Sequence, residues 1–121
     1  MIEKENVGKG EPVLQLRVYL FNPNPARGAE INKERPCLVI SNNIVNENLE
    51  TVWVLPITSQ YHDYATRVPF INDRGDENYI VVDQLRAIDK TRLSKYIYTI
   101  TDIGVIEEVE RIIKLMMFRR K

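Results

Sequence analysis

A small, mainly β (α+β) antiparallel barrel with a C-terminal helix is the fold class this sequence predicts. Three observations carry that reading. Short apolar runs of strand length are separated by polar turns rich in proline, glycine or asparagine. Helical spacing of the apolar residues sets in only near the C-terminus. The chain has 121 residues, 44% apolar and 28% charged, which suits one domain around one core.

Residues 1–12 read as a loose polar lead-in, and 13–121 as a single domain. Residues 13–21, VLQLRVYLF, alternate: Leu14, Leu16, Val18 and Leu20 on one face, Gln15, Arg17 and Tyr19 on the other. The loop NPNPARGAE follows, with two prolines and a glycine. PCLVIS is the second strand, NNIVNEN is turn-like, and TVWVLPIT at 51–58 is the third strand. Its Pro56 indicates an edge, a bulge or a strand end, because proline gives no N–H to a ladder. Residues 67–71 make a fourth strand, NDRGDEN a turn, and 79–83 a fifth strand. Residues 89–93, DKTRL, suit one helical turn, and 96–100 a last extended piece. In VIEEVERIIKLMMF the period changes. Val105, Val109, Ile112 and Met116, flanked by Ile106, Ile113 and Met117, form the apolar face of a helix capped by Thr101 or Asp102. That wide face is core or a partner surface.

Composition removes several functions. No apolar run approaches the ~20 residues of a membrane span, and MIEKENVGKGEP has no signal-peptide core, so a cytoplasmic protein is expected. Cys37 is a lone cysteine in an apolar run and is expected to pack. His62 is the single histidine, so one chain cannot supply a two-histidine acid–base pair. HExxH, the phosphate-binding GxxxxGK[ST] and paired CxxC are absent. The carboxylates of NDRGDEN do not have calcium-loop spacing. No metal and no cofactor are expected. Net charge is zero, which argues against indiscriminate polyanion binding but leaves room for a local basic groove.

The remaining chemistry sits at strand ends. In INKERPCLVIS, Arg35 stands directly before Pro36 at the start of a buried strand. Thr58 and Ser59 end the third strand, and Asp83, Gln84 and Arg86 follow the fifth. Converging, they would supply a cation, two hydroxyls, an amide and a carboxylate, a set that suits a phosphodiester. Each also has a plain structural reading: Arg35 as the last solvated loop residue, Thr58-Ser59 as a turn, Asp83 as a cap.

GAEINKERPCLVIS, TVWVLPITSQ and VVDQLRAIDKTRL, in that order, resemble the MazF/PemK family of toxin endoribonucleases. The resemblance implies an SH3-like barrel, MazF/PemK/CcdB-like, usually as a homodimer. It also implies sequence-selective, metal-independent cleavage of single-stranded RNA, mRNA included. Arg35 matches the arginine of the family's R-P-x-x-V-I-S, and Thr58 the threonine of its P-I-T-S; both are catalytic there. Glu30 matches the glutamate of G-S-E, and Glu30 or Asp83 is the candidate to accept a proton. Arg27, Lys33, Ser59, Gln60, Gln84 and Arg86 are the expected RNA-binding set. Ala29 and Val81 stand where one branch carries a histidine and an arginine, so the chain follows the arginine–threonine branch. The family's R-G-D opening of strand one is replaced by Leu16, Arg17 and Val18. The expected reaction is attack of the 2′-hydroxyl on phosphorus, giving a 2′,3′-cyclic phosphate and a 5′-hydroxyl. Expected partners are the RNA substrate, a second copy of the chain and a cognate antitoxin with an acidic tail, the toxin–antitoxin complex binding DNA. The alternative is a non-catalytic binding protein on the same fold, either a CcdB-like gyrase inhibitor or an inactive RNA-binding module.

Overall fold

The apolar runs fold into seven strands among the described residues, and every pairing between them is antiparallel: β1 (Arg17–Phe21), β2 (Arg35–Val39), β3 (Thr51–Thr58), β4 (Arg67–Ile71), β5 (Glu77–Val81), β6 (Arg86–Asp89) and β7 (Leu93–Thr99). Two helices, α1 (Asn43–Asn48) and α2 (Ile103–Phe118), and 3-10 turns at Val82–Gln84 and Lys90–Arg92 complete the described residues. The computed structural model describes residues 11–23 and 34–118. Most of the expected lead-in, and the candidates Arg27, Glu30 and Lys33, lie outside the described residues.

The strand order is β4-β5-β3-β2-β1-β7, with β6 also paired to β3. One run of neighbours is therefore β6-β3-β2-β1-β7, whose two outer strands are joined by the turn Lys90–Arg92 alone. Laid flat, four spacings would put β6 and β7 roughly 19 Å apart. The steps from Asp89 to Leu93 reach at most about 14 Å. The sheet has to curl, and it does so as an open barrel with no ladder between β6 and β7.

Curling gives the sheet two apolar faces. Inside the barrel lie Tyr19, Phe21, Cys37, Val39, Val52, Val54, Ile88 and Leu93. On the other face Val18, Leu38, Leu55, Ile57, Phe70 and Ile80 pack against Val109 and Ile112 of α2. Successive residues of one strand thus enter different cores, Val54 inside and Leu55 outside. Cys37 is buried in the inner core. Burial drives its thiol pKa up to about 12, against a hydrogen bond from the Tyr19 backbone and the charge of Arg86, so thiolate chemistry is closed to it.

Several expectations are corrected. Strand count is seven, not five, because RAID is a short strand on β3 and 93–99 is a full strand on β1. The first strand starts at Arg17, not at residue 13: Leu16 adopts φ 73, which breaks the extended run. Tyr19, expected outside, is fully buried, while Leu20 is only half-buried. NNIVNEN is helical. Asn42 caps it by accepting from the Val45 N–H, and Asn46 is buried with hydrogen bonds to Ser41 and Lys90. Pro56 lies within a central strand, at the point where the outer partner of β3 changes from β6 (51–54) to β5 (57–58). A residue without an N–H costs little where one ladder has stopped and the next has not begun.

The last helix is capped by Asp102, whose Oδ1 accepts from the Gly104 and Val105 N–H groups. Val109 and Ile112 are core as expected, but Met116 and Met117 are exposed along with Leu115 and Phe118. No helix is long and apolar enough to cross a membrane among the described residues.

Candidate functional site

Arg35 opens β2 because the residue before a proline is driven to extended backbone. Its Cα partner on β1 is Phe21. On the other side, β2 and β3 pair Val39 with Val54, Leu38 with Leu55 and Cys37 with Pro56. Continuing that register by two residues sets Arg35 opposite Thr58. In an antiparallel pair, opposed residues share a face. Arg35 and Thr58 therefore lie on the rim of the barrel-interior face, the face of Cys37 and Val54. Thr58 is in turn the partner of Tyr79 on β5.

Both groups are poised for an anion. The Arg35 side chain is exposed and makes no hydrogen bond or ion pair with the described residues. The Thr58 Oγ1 accepts from the Gln60 N–H at 3.1 Å, which fixes the hydroxyl and leaves its own proton to donate outward. Arg86 adds a second cation. It pairs with Val54, shares the same face, and its guanidinium lies 6.0 Å from the centre of the Phe21 ring beside Arg35. A groove of about 800 Å³ beside α1 is a poor rival, since it carries Glu11, Glu47, Glu50 and Asp89 against Lys90.

The other expected residues divide. Ser59, Gln60 and Gln84 are exposed next to this rim. Asp83 points elsewhere: its Oδ1 accepts from Thr66 Oγ1 at 2.8 Å and from Arg67 Nε at 3.4 Å. Burial alone would raise its pKa. The hydrogen bonds from Thr66, its own backbone and Arg67, with the Arg67 charge, outweigh that and hold the carboxyl below its usual range. A carboxylate so occupied is a weak proton acceptor. Residues overlooked in the sequence are the rings beside Thr58: Tyr61 stands edge-on to Tyr79 at 5.7 Å, and His62 stacks on Tyr64 at 5.4 Å. The signal available for them was three rings within four residues of SQYHDYAT.

Among the described residues no three of His, Cys, Asp and Glu cluster in a way that could hold a metal ion. The cation facing the rim is arginine.

A family model described as PemK-like, MazF-like toxin of type II toxin–antitoxin system matches residues 15–117. The chain is 31% identical over 109 residues to "Endoribonuclease EndoA" of Bacillus subtilis, covering 83% of this chain and 90% of that protein. It is 29% identical to "Endoribonuclease MazF" of Staphylococcus saprophyticus, covering 70% and 75%. The fold is that of MazF from Deinococcus radiodurans, with a TM-score of 0.74 at 21% identity, covering 90% of this chain and 99% of that one. It is likewise that of a mycobacterial endoribonuclease solved with its cognate antitoxin, TM-score 0.73 at 17% identity, covering 90% and 99%.

Proposed function

Because this chain belongs to the PemK-like, MazF-like toxins of type II toxin–antitoxin systems, we propose that it is an endoribonuclease toxin of the cytoplasm, cleaving single-stranded RNA at the Arg35–Thr58 rim. The observation that carries this is the β2–β3 register, which sets a free guanidinium opposite a hydroxyl whose acceptor side is already used. Relatives whose names record endoribonuclease activity support the same reading. They favour it over a gyrase inhibitor or an inactive module, neither of which needs that pair.

In this mechanism the scissile phosphate sits between Arg35 and Thr58. The 2′-oxygen bonds to phosphorus, the bond to the 5′-oxygen breaks, and the departing oxygen takes a proton. Products are a 2′,3′-cyclic phosphate and a 5′-hydroxyl. Negative charge grows on the non-bridging oxygens, where Arg35 offers a planar fork of donors that never deprotonates. Thr58 donates to the same oxygens. Its hydroxyl is too weakly acidic to ionise and serve as a base. With Asp83 engaged by Thr66 and Arg67, Glu30 is the other of the two expected acceptors for the 2′-proton.

The test is cleavage of a long RNA in EDTA, followed by end analysis. Undiminished cleavage with 5′-hydroxyl and cyclic-phosphate ends is expected. Loss of cleavage in EDTA, or 5′-phosphate ends, would remove this mechanism.

Two partners belong to the same proposal. Exposed Leu115, Met116, Met117 and Phe118 leave apolar surface that a second copy or an antitoxin can cover. Light scattering should give about twice the 14.2 kDa chain mass. An acidic antitoxin tail should displace non-cleavable RNA from the rim, where Arg35 and Arg86 are the cations both ligands need. A monomer would count against the dimer, and simultaneous binding of tail and RNA against the shared site.

A further inference from the structure

Residues 59–66, SQYHDYAT, connect β3 to β4 and contain no lysine or arginine. They nevertheless hold large rings out in water. Tyr61 is 66% exposed and Tyr64 55%. The rings do not stand alone: each lies against a neighbouring ring. Tyr61 stands edge-on to Tyr79, the Cα partner of Thr58. The His62 and Tyr64 rings are parallel to within 8°. Behind Tyr64 the Arg67 guanidinium lies 5.0 Å from the ring centre, and that guanidinium bonds to Asp83. The backbone is tied at the same places, Tyr64 N–H to His62 carbonyl, Arg67 N–H to Tyr64 carbonyl and Val82 N–H to Thr66 carbonyl.

A row of contacts thus runs from Asp83 through Arg67 to Tyr64 and His62, and a second from Thr58 through Tyr79 to Tyr61. With Asp63 in the segment and Arg67 paired to Asp83, phosphate is not what this surface recognises. Ring faces recognise unpaired bases, by stacking.

We propose that residues 59–66 form a base-stacking platform for the nucleotides flanking the phosphate at Arg35 and Thr58, with Tyr61 and His62 as the stacking surfaces, Tyr64 backing His62, and Asp83 as the residue that, through Arg67, positions the Tyr64–His62 pair. This rests on the RNA-cleaving reading. Tyr61 takes the base nearer Thr58, and His62, backed by Tyr64, the next one out. Sequence preference then arises from how strongly each base stacks and from what the neighbouring Asp63 carboxylate and exposed amides accept or donate at its edge.

The test uses the full chain and a 2′-O-methyl RNA that binds but is not cleaved. Abasic sites are placed one position at a time along it. In the wild type, an abasic site at a platform position should weaken binding about 5- to 150-fold, the range for losing one stacked base. Tyr61→Ala and His62→Ala should show a comparable loss with intact RNA and then become indifferent to the matching abasic site. Tyr61→Phe, which keeps the ring, should bind as the wild type does. Asp83→Asn should act mainly on KM. A loss confined to kcat would instead place Asp83 in the chemistry and remove its positioning role. Tyr61→Ala and His62→Ala variants that bind and cleave like the wild type, or that keep the full abasic penalty, overturn the platform while leaving the nuclease intact. A wild-type protein that neither binds nor cleaves RNA overturns the underlying reading and the platform with it.

Discussion

Arg35→Ala is expected to lower RNA cleavage by about 10²- to 10³-fold, the usual cost of removing one preorganised group that stabilises charge in the transition state. The stability of the protein should barely change. The Arg35 side chain is exposed, contributes to neither core and makes no hydrogen bond or ion pair with the described residues. What it does possess is position. Pro36 keeps its backbone extended, Phe21 flanks it on β1, and the β2–β3 register sets it opposite Thr58. Arg35→Lys should recover part of the rate, since charge returns but the two-pronged donor geometry does not. Single-turnover cleavage beside a thermal melt of each variant gives the answer. A folded Arg35→Ala protein that cleaves within a few-fold of wild type would mean the phosphate is held elsewhere.

Leu55→Ala should cost about 2–5 kcal/mol of folding free energy, the range for truncating a fully buried leucine. Leu55 has no solvent exposure, sits on the central strand opposite Leu38, and belongs to the core under α2 with Ile57 and Ile80. Its cavity would open where β3 is held by three neighbouring strands, so little can move in to fill it. Trp53 is the control. It is a larger side chain two residues earlier on the same strand face, but it is 43% exposed, so Trp53→Ala should cost clearly less. Guanidinium denaturation of both variants measures the difference. Equal losses would show that Leu55 is not a keystone of that core.

The candidate functional residues were legible unevenly. Arg35, Thr58 and Arg86 stood out as polar groups at the ends of apolar runs, and the structure places all three around one rim. Asp83 stood out in the same way, yet its carboxylate is turned to Thr66 and Arg67. Residue type and strand-end position cannot distinguish those outcomes. The difference lies in which side of the sheet a short 3-10 turn presents.

By itself the sequence determined the local structure wherever one rule acts over a few residues. Alternation made the strands, helical spacing and an aspartate cap made α2, and the arginine before Pro36 was bound to be extended. Tertiary structure decided whatever depends on what covers each face. Tyr19 is buried because β1 has core on both sides, inside the barrel and under α2, whereas period-two alternation says only that neighbours point opposite ways. RAID is a strand because Val52, Trp53 and Val54 offer it an edge. NNIVNEN is a helix because the buried Asn46 finds hydrogen-bond partners in Ser41 and Lys90. The opposition of Arg35 and Thr58, far apart along the chain, is likewise a matter of register. A slip of one residue between β2 and β3 would turn every side chain of one strand to the wrong face, so the buried pairs Leu38–Leu55 and Val39–Val54 hold the proposed catalytic pair in place.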